Sequence, residues 1–569
     1  ELAAFLIGER QRFGFAGHGE AFGRWGWQVY AHKSEDLSGS AYEQCVALLS
    51  EIWDQRRGVE RAARFTPAQK RSLLTALAAH LQSSGTRVFE GGELFAALDD
   101  LAPLAGVAAA DAPALVDEIL AHSGLLRRKS RSAYDFVHLS FQEYFAARDF
   151  LARGAGDELL AHLGEAWWRE VIRLYAAMAP QAPQLLVALR SADLLLAAGC
   201  LADSRDPGTS EFAACAEGIV GDLVRQLNGE TPARQAAADA LAEVGRWRAN
   251  EALRAAFAAA DRPGVALAAL LALAHGGDPA TLQALLADHG RVLRLLHGEL
   301  PGAGGGVRTR ILALLERLGH PLAYVPAGEF WMGSDDGPGD ERPRHRVRLA
   351  EYWIDRTPVT NAQYAAFVEA SGYRAQSPWR DEFSAGKEQH PVVLVTWDDA
   401  CAYAIWCGKH LPSEAQWEKA ARGSDGRTWP WGNVWDGNRC NVSGRGTTAV
   451  GIYPQGVSPY GCHDLAGNVW EWVADWYDAG YYARSPATDP RGPETGVARV
   501  LRGGSWNDVG WFVRSADRSR FGPGRLGNGS GFRLALGHQG PAEPAPGAPP
   551  SGTDGGQAAF RTIRATGRS

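Results

Sequence analysis

The residues best suited to chemistry lie late in this 569-residue chain. Between RGGSW (502–506) and GFRLAL (531–536) runs NDVGWFVRSADRSRFGPGRLGNGS. Aromatic and arginine side chains there supply anchoring area, while Gly, Ser and Asn supply adaptable hydrogen bonding, a composition that suits recognition of another molecule. The binding face expected from it comprises Asn507, Asp508, Trp511, Phe512, Asp517, Arg518, Ser519, Arg520, Phe521 and Arg525. Nucleophilic chemistry has less to work with. The seven cysteines are spread thinly, and none forms a C-x-x-C pair. Cys401 and Cys407 stand six apart on an expected helix, a spacing that does not put them on one face. No G-x-x-x-x-G-K-[ST] string occurs, so this chain builds no phosphate-cradling loop of its own.

The elements that must position these residues differ along the chain. Fourteen of the twenty tryptophans fall between Trp331 and Trp511, whereas alanine and leucine dominate what precedes, so composition changes near residue 320. Apolar residues recur at helical spacing in YEQCVALLSEIWDQRR and in PAQKRSLLTALAAHLQ, where Pro67 suits a helix start. In GLLRRKSRSAYDFVHLS two short apolar runs flank a basic turn, which predicts a hairpin or wing, and FQEYFAARDFLA resumes the helix. From 155 to about 320 paired amphipathic patterns point to an α-solenoid, with a generic helical bundle as the alternative. The tryptophan-rich part reads as α+β with many loops. One helix is capped at Thr360 or Asn361, a second lies in WDDACAYAIWCGK, and a third starts at Ser413 with Gln416 three residues on. The Pro/Gly-rich stretch from 538 shows no apolar periodicity and reads as a tail.

Length excludes a single core, and 46% hydrophobic with 22% charged residues excludes a wholly disordered chain. A net charge of −7 draws the chain neither to nucleic acid nor to an anionic membrane. Thinly spread cysteines and the lack of a signal peptide or membrane-spanning run point to a reduced, cytoplasmic protein. A first residue of Glu1 inside an apparent domain reads as a fragment of something longer.

Several of these strings resemble known families. FVHLSFQEYFAARDFL with YEQCVALLSEIWDQRRG is similar to the helical and winged-helix end of NACHT-type STAND nucleotide-triphosphatases. In that family a winged-helix histidine, matched here by His138, lies near the nucleotide phosphates; the alternative is a packed wing residue satisfied by hydrogen bonds. Nucleotide would then bind only with the missing N-terminal lobe. The R-x-A-A-x-A-L-x-x-x-G flavour of the middle resembles HEAT repeats. VPAGEFWMGS, LPSEAQWEKAARG, GNVWEW, RGGSW and GFR resemble, in order, the formylglycine-generating-enzyme and sulfatase-modifying-factor family, a variant of the C-type lectin fold. These resemblances imply five parts: 1–65, the helical end of a NACHT-type module; 66–154, a winged helix; 155–320, HEAT-like repeats; 321–537, the α+β lectin-like domain; and 538–569, a disordered tail.

The lectin-like resemblance also sets the functional expectations. The family's aerobic enzyme binds copper through two cysteines shortly after the GGS motif, and those positions fall on Asp508 and Val513, neither a thiolate. Its iron-dependent relatives use an upstream H-x-x-x-E-x-H string that is missing, so neither copper nor iron is expected. HDLAGNVWE resembles the family's calcium loop, which implies a structural calcium held by Asp464, Glu471 and the carbonyls of Gly467 and Val469. Glu471 paired with an arginine such as Arg502 is the alternative. The 506–531 placement also resembles the variable region of diversity-generating-retroelement proteins, the other reading being an ordinary loop.

The resulting functional expectation is a non-catalytic sensor in a bacterial NACHT-type signalling or defence protein, binding a protein or other macromolecule. Its remaining partner is the N-terminal effector lobe, with room for oligomerisation on activation and none for membrane or nucleic acid. A formylglycine-generating oxidase or other peptide-modifying enzyme is the rival, and a purely structural assembly domain the third reading.

Overall fold

The computed structural model describes residues 43, 46 and 64–537, except 91, 124, 131–132, 180–182, 205–207, 246–248, 277–287 and 376. The helix expected at 42–57 therefore lies almost wholly outside the described residues. The chain divides into two compact units, Glu1–Thr281 and Leu282–Ser569.

In the first unit Thr66 caps α1 (Pro67–Ser83) through a reciprocal box with Gln69, with Pro67 at the first turn as its fixed φ favours. α2 (Glu93–Leu101) and α3 (Ala112–His122) follow. The expected hairpin forms from β2 (Leu126–Arg128) and β3 (Tyr134–Phe136), paired antiparallel with Leu126 opposite Phe136. A third strand, β1 (Val88–Phe89), pairs with the other edge of β3; two residues are too few to carry a readable period. α4 (Leu139–Arg153) buries Phe141, Tyr144 and Phe145 against α1. Helices α5 (Arg169–Met178), α6 (Pro183–Ala192), α7 (Leu194–Asp203), α8 (Ser210–Leu227), α9 (Thr231–Val244), α10 (Asn250–Ala259) and α11 (Pro263–Gly276) then pack on one another. Polar ties join them: Arg173 to Asp203 at 2.8 Å and Arg190 to Asp222 at 2.6 Å.

The second unit starts with α12 (His289–Glu299) and α13 (Gly305–Arg317). Its strands are β4 (Leu322–Val325), β5 (Gly328–Met332), β6 (His345–Leu349), β7 (Tyr352–Asp355), β8 (Trp470–Trp476), β9 (Arg499–Arg502), β10 (Ser519–Phe521), β11 (Ser530–Phe532) and β12 (Ala535–Gly537). They form a sheet in the order β10-β9-β8-β11, a second in the order β12-β7-β4, and the β5-β6 hairpin. β8 runs antiparallel to β9 and parallel to β11, with a register irregularity between Trp472 and Trp476. Helices α14 (Asn361–Ser371), α15 (Trp397–Cys407) and α16 (Glu414–Arg422) each open on a capping box, at Thr360, Thr396 and Ser413. The core joins α16 to the sheets through Trp417, Val473, Val500, Ile354, Phe330 and Val347. Burying these removes large apolar surfaces from water, each worth about 1.5–3 kcal/mol against exposure.

Candidate recognition surface

The loop after β9 is stitched in place before it reaches solvent. Asp508 accepts through Oδ2 from Ser505 N at 2.9 Å, Ser505 Oγ at 2.7 Å and Trp470 Nε1 at 2.9 Å, closing the turn. The Asp508 and Trp506 carbonyls accept from Ser443 N and Gly444 N, and Trp506 N donates to Asn468 O. Beyond that anchor Val509, Trp511 and Phe512 project, Trp511 51% and Phe512 47% exposed. Gly510 lets the loop meet a tryptophan cluster: a Cβ there would lie 2.6 Å from the Trp435 ring, and Trp429 Nε1 donates to Gly510 O at 3.1 Å. Trp429, Trp431 and Trp435 lie 5.3–6.4 Å apart between ring centroids. Val434 is 80% exposed. Val434, Trp435, Val509, Trp511 and Phe512 thus leave apolar side chains exposed on two turns that meet at Gly510, an apolar platform. The charges of the neighbouring turns are paired, Arg427 with Asp425 at 2.7 Å and Arg439 with Asp436 at 3.0 Å.

The clustered aromatics and glycines of WPWGN suit an irregular core, and Trp429 and Trp431 do pack against Cys440, Ala466 and Val513; Val434 and Trp435 just beyond them stand exposed and were not among the expected face. The available signal was their punctuation: tryptophans alternating with Pro, Gly and Asn over seven residues read as a loop, where large rings cannot all be buried.

Beneath the platform the chain turns inward, which corrects part of the expected face. Val513 to Arg518 are buried, Asp517 being 5% and Arg518 8% exposed. Arg514 donates to both Glu341 oxygens at 2.9 and 2.7 Å and reaches Asp517 at 3.2 Å, with its guanidinium 4.0 Å from the Trp511 ring centre. Arg518 forks onto both Glu414 oxygens at 2.7 and 2.9 Å. Arg502 donates to the carbonyls of Ser515, Ala516 and Asp517 and to Glu418 at 2.5 Å. Burial, then the neighbouring Glu341 charge, pushes the Asp517 carboxyl up to about 7. Burial and Glu414 likewise push Asp475 up to about 7. Asp517 and Arg518 hold the loop from inside and offer nothing to a ligand. They also divide the expected face. Asn507, Trp511 and Phe512 emerge before this span; Ser519, Arg520 and Phe521 emerge after it on the edge strand β10. There Arg520 donates to Tyr477 Oη at 2.8 Å, and Arg525 lies 5.2 Å over Phe521.

The expected calcium residues lie in the loop before β8. Asp464 and Asn468 take left-handed backbone, φ +55° and +64°. Asp464 accepts from Gly451 N at 2.7 Å. Glu471 is fully buried and accepts from Trp417 Nε1 and from Arg533 Nε and Nη2, each at 2.7 Å. Its partner is thus Arg533, and Arg502, the arginine read from sequence, takes Glu418. Three protein donors leave about one of the carboxylate's four acceptor positions open. Burial raises both Asp464 and Glu471. The donor set, oxygen throughout, fits a hard cation in kind. Among the described residues no three His, Cys, Asp or Glu side chains gather into a metal cluster. His138 caps α4, its Nδ1 accepting from Ser140 N at 3.3 Å. Burial pushes the Cys401, Cys407 and Cys440 thiols up to about 12.

The sulfatase-modifying factor enzyme 1-like domain matches residues 317–537, and the winged helix-turn-helix domain C-terminal to NACHT matches 39–150. The formylglycine-generating enzyme of Streptomyces coelicolor is 39% identical over 37% of this chain and 87% of that protein. The chain belongs to the formylglycine-generating-enzyme family. The serine/threonine-protein kinase Pkn1 of Chlamydia trachomatis is 39% identical over 38% of each protein, so this chain spans well under half of that relative. Among solved structures, the Treponema denticola variable protein 1 matches at 26% identity and a TM-score of 0.34, over 38% of this chain and 94% of that one. The family domain thus follows a NACHT-type winged helix in one chain. Among the described residues no helix is long and apolar enough to cross a membrane.

Proposed function

We propose that the family domain of this chain is a recognition module that binds a protein or other macromolecule without transforming it, as the sensor of a NACHT-type signalling or defence protein. The observation that carries this is the exposed platform of Val434 and Trp435 beside Val509, Trp511 and Phe512, the last three on a loop whose inner half is pinned by buried ion pairs. A rigid base under projecting rings lowers the ordering cost of binding. Oxidation of a cysteine is disfavoured by donor chemistry, since the positions that resemblance assigns to copper thiolates hold Asp508, whose carboxylate closes a turn, and the buried Val513.

The platform takes over the role first read for the whole 507–525 stretch. Asn507, Trp511 and Phe512 remain in it, and Ser519, Arg520, Phe521 and Arg525 form a separate exposed edge. A calcium ion held by Asp464, Glu471 and the carbonyls of Gly467 and Val469 would act structurally, supplying fixed positive charge beside two buried carboxylates. Ligand binding would bias the nucleotide switch of the longer protein, in the cytoplasm, with self-association on activation. The test compares wild type with the Trp435→Ala/Trp511→Ala/Phe512→Ala variant in retaining proteins from host lysate. Material kept by wild type and lost by an equally stable variant supports the proposal; identical retention sinks it.

A further inference from the structure

Helix α12 meets the family domain through histidines. It packs against α14 and α15. Gly290 makes the approach possible, because a Cβ there would lie 2.5 Å from Trp406 Nε1. Arg294 donates to Trp406 O at 2.8 Å, and the His297 ring nitrogen Nδ1 lies 2.7 Å from Cys407 O. These carbonyls end α15, where unsatisfied acceptors and negative dipole charge collect. A carbonyl can only accept, so His297 carries its proton on Nδ1 and its Nε2 is bare. His289 stacks edge-on to His320 at 5.3 Å and to Trp406 at 5.6 Å. His297 and His320 are 0% and 3% exposed, and the Nε2 atoms of all three histidines are buried without a hydrogen-bond partner.

We propose that this seam is a proton-operated latch: three imidazoles with buried, unpartnered Nε2 atoms hold α12 on the family domain while neutral, and their protonation in mild acid releases the helix. The surroundings make protonation and closure incompatible. Burial, then Lys409, holds His297 down at about 3, and burial, Lys409 and the other two rings hold His320 well below its ordinary range. Burial lowers His289 as well. The charges acting on the rings are therefore Lys409 and the rings themselves. Lys409 Nζ is already paired with Asp355 of β7 at 2.5 Å, so that carboxylate is engaged. Of the other titratable groups on the packed elements, burial raises Tyr403 and Cys407 of α15 and Tyr364 of α14; Asp398 and Asp399 lie at the opposite, N-terminal end of α15, where Asp399 accepts from Thr396 and Tyr373, Glu369 of α14 is exposed, and Glu316 of α13 pairs with Arg356. Arg294 faces a carbonyl. None of these carboxylates lies within hydrogen-bond reach of the three Nε2 atoms.

The direction follows from linkage. A base held below its ordinary value favours the closed seam above pH 6.5 and disfavours it progressively as pH falls toward the folded value. For His297, about 3 when closed against 6.5 when open, pH 5 weakens closure by about 30-fold. Amide hydrogen exchange on the full chain at pH 7.5 and pH 5, corrected for intrinsic rates, reads this directly. The latch predicts that α12 amides lose at least tenfold protection at pH 5 while β8 and β9 keep theirs. The variant His297→Asn/His320→Leu keeps a donor for Cys407 O and removes two titrating rings, so its α12 should hold more protection at pH 5 than wild type. Unchanged α12 protection in wild type, or equal loss in β8 and β9, overturns the latch, whether or not the variant folds.

Discussion

If buried ion pairs hold the platform loop, the Glu341, Arg514 and Asp517 triad should respond to substitution as one coupled unit. Glu341 is fully buried and takes both forks of Arg514, while Asp517 lies 3.2 Å from the same guanidinium. Burial, then the Glu341 charge beside the same arginine, pushes the Asp517 carboxyl up to about 7. Glu341→Gln removes that charge. It also removes one of the causes that raise Asp517, so Asp517 ionises and takes over as counter-ion. The single variant should cost about 1–2 kcal/mol, below the 3–5 kcal/mol of breaking a buried pair outright. Asp517→Asn alone replaces a mostly neutral carboxyl by an amide and should cost about 1 kcal/mol or less. The double variant leaves Arg514 uncompensated and should cost about 3–5 kcal/mol. Urea denaturation of the four proteins at pH 7 yields the coupling, expected at about 1–2 kcal/mol. In Glu341→Gln, carboxyl NMR should show Asp517 titrating well below 7. Additivity within about 0.5 kcal/mol, or an unmoved Asp517, would refute the shared-charge reasoning.

Further outcomes follow from the same geometry. Because the folded state holds Asp517 at about 7, its stabilising proton is fully present below the unfolded value and is lost as pH rises through 7. The stability advantage of wild type over Asp517→Asn should therefore shrink by about 2 kcal/mol between pH 5.5 and 8, and a flat difference across that window would contradict the assignment. Calcium at about 100 times its dissociation constant should stabilise the family domain by about 2.7 kcal/mol, lost in Asp464→Ala; a melting curve indifferent to calcium and chelator removes the ion from the proposal. The Trp435→Ala/Trp511→Ala/Phe512→Ala variant trims partly exposed rings and should unfold near wild-type denaturant concentrations while losing its partner. Loss of most of its stability would instead mark the rings as core.

Much of the fold could be read in advance because local rules agree with it. The capping box at Ser413, the start at Thr360 and the hairpin around 126–136 depend on neighbours within a few residues. The site was legible only in part. Composition placed recognition at 507–525 but could not tell which arginines and acids face inward, since Arg518 and Arg520 look alike until Glu414 and Tyr477 are placed beside them. Register shows the same limit. Arg502 does stand opposite Glu471 across β8 and β9, yet Trp417 donates to Glu471 and lies under the Arg502 guanidinium at 5.4 Å, and the two ions take other partners. The tryptophan cluster at 429–435 joins Gly510 some eighty residues later in the chain, a pairing no local pattern announces. His289, His297 and His320 meet only because α12 folds back on the end of α15.

On the proposed function, this member of the formylglycine-generating-enzyme family recognises a partner and does not oxidise a cysteine. The most direct measurement is copper and oxygen: incubate the purified chain with Cu(I), remove loose metal, and follow oxygen uptake on a cysteine-containing peptide. The account predicts no retained stoichiometric copper and no uptake above the metal-only background. Copper held near one equivalent with peptide-dependent oxygen consumption would contradict it, and would mean that ligands other than residues 508 and 513 build an active centre.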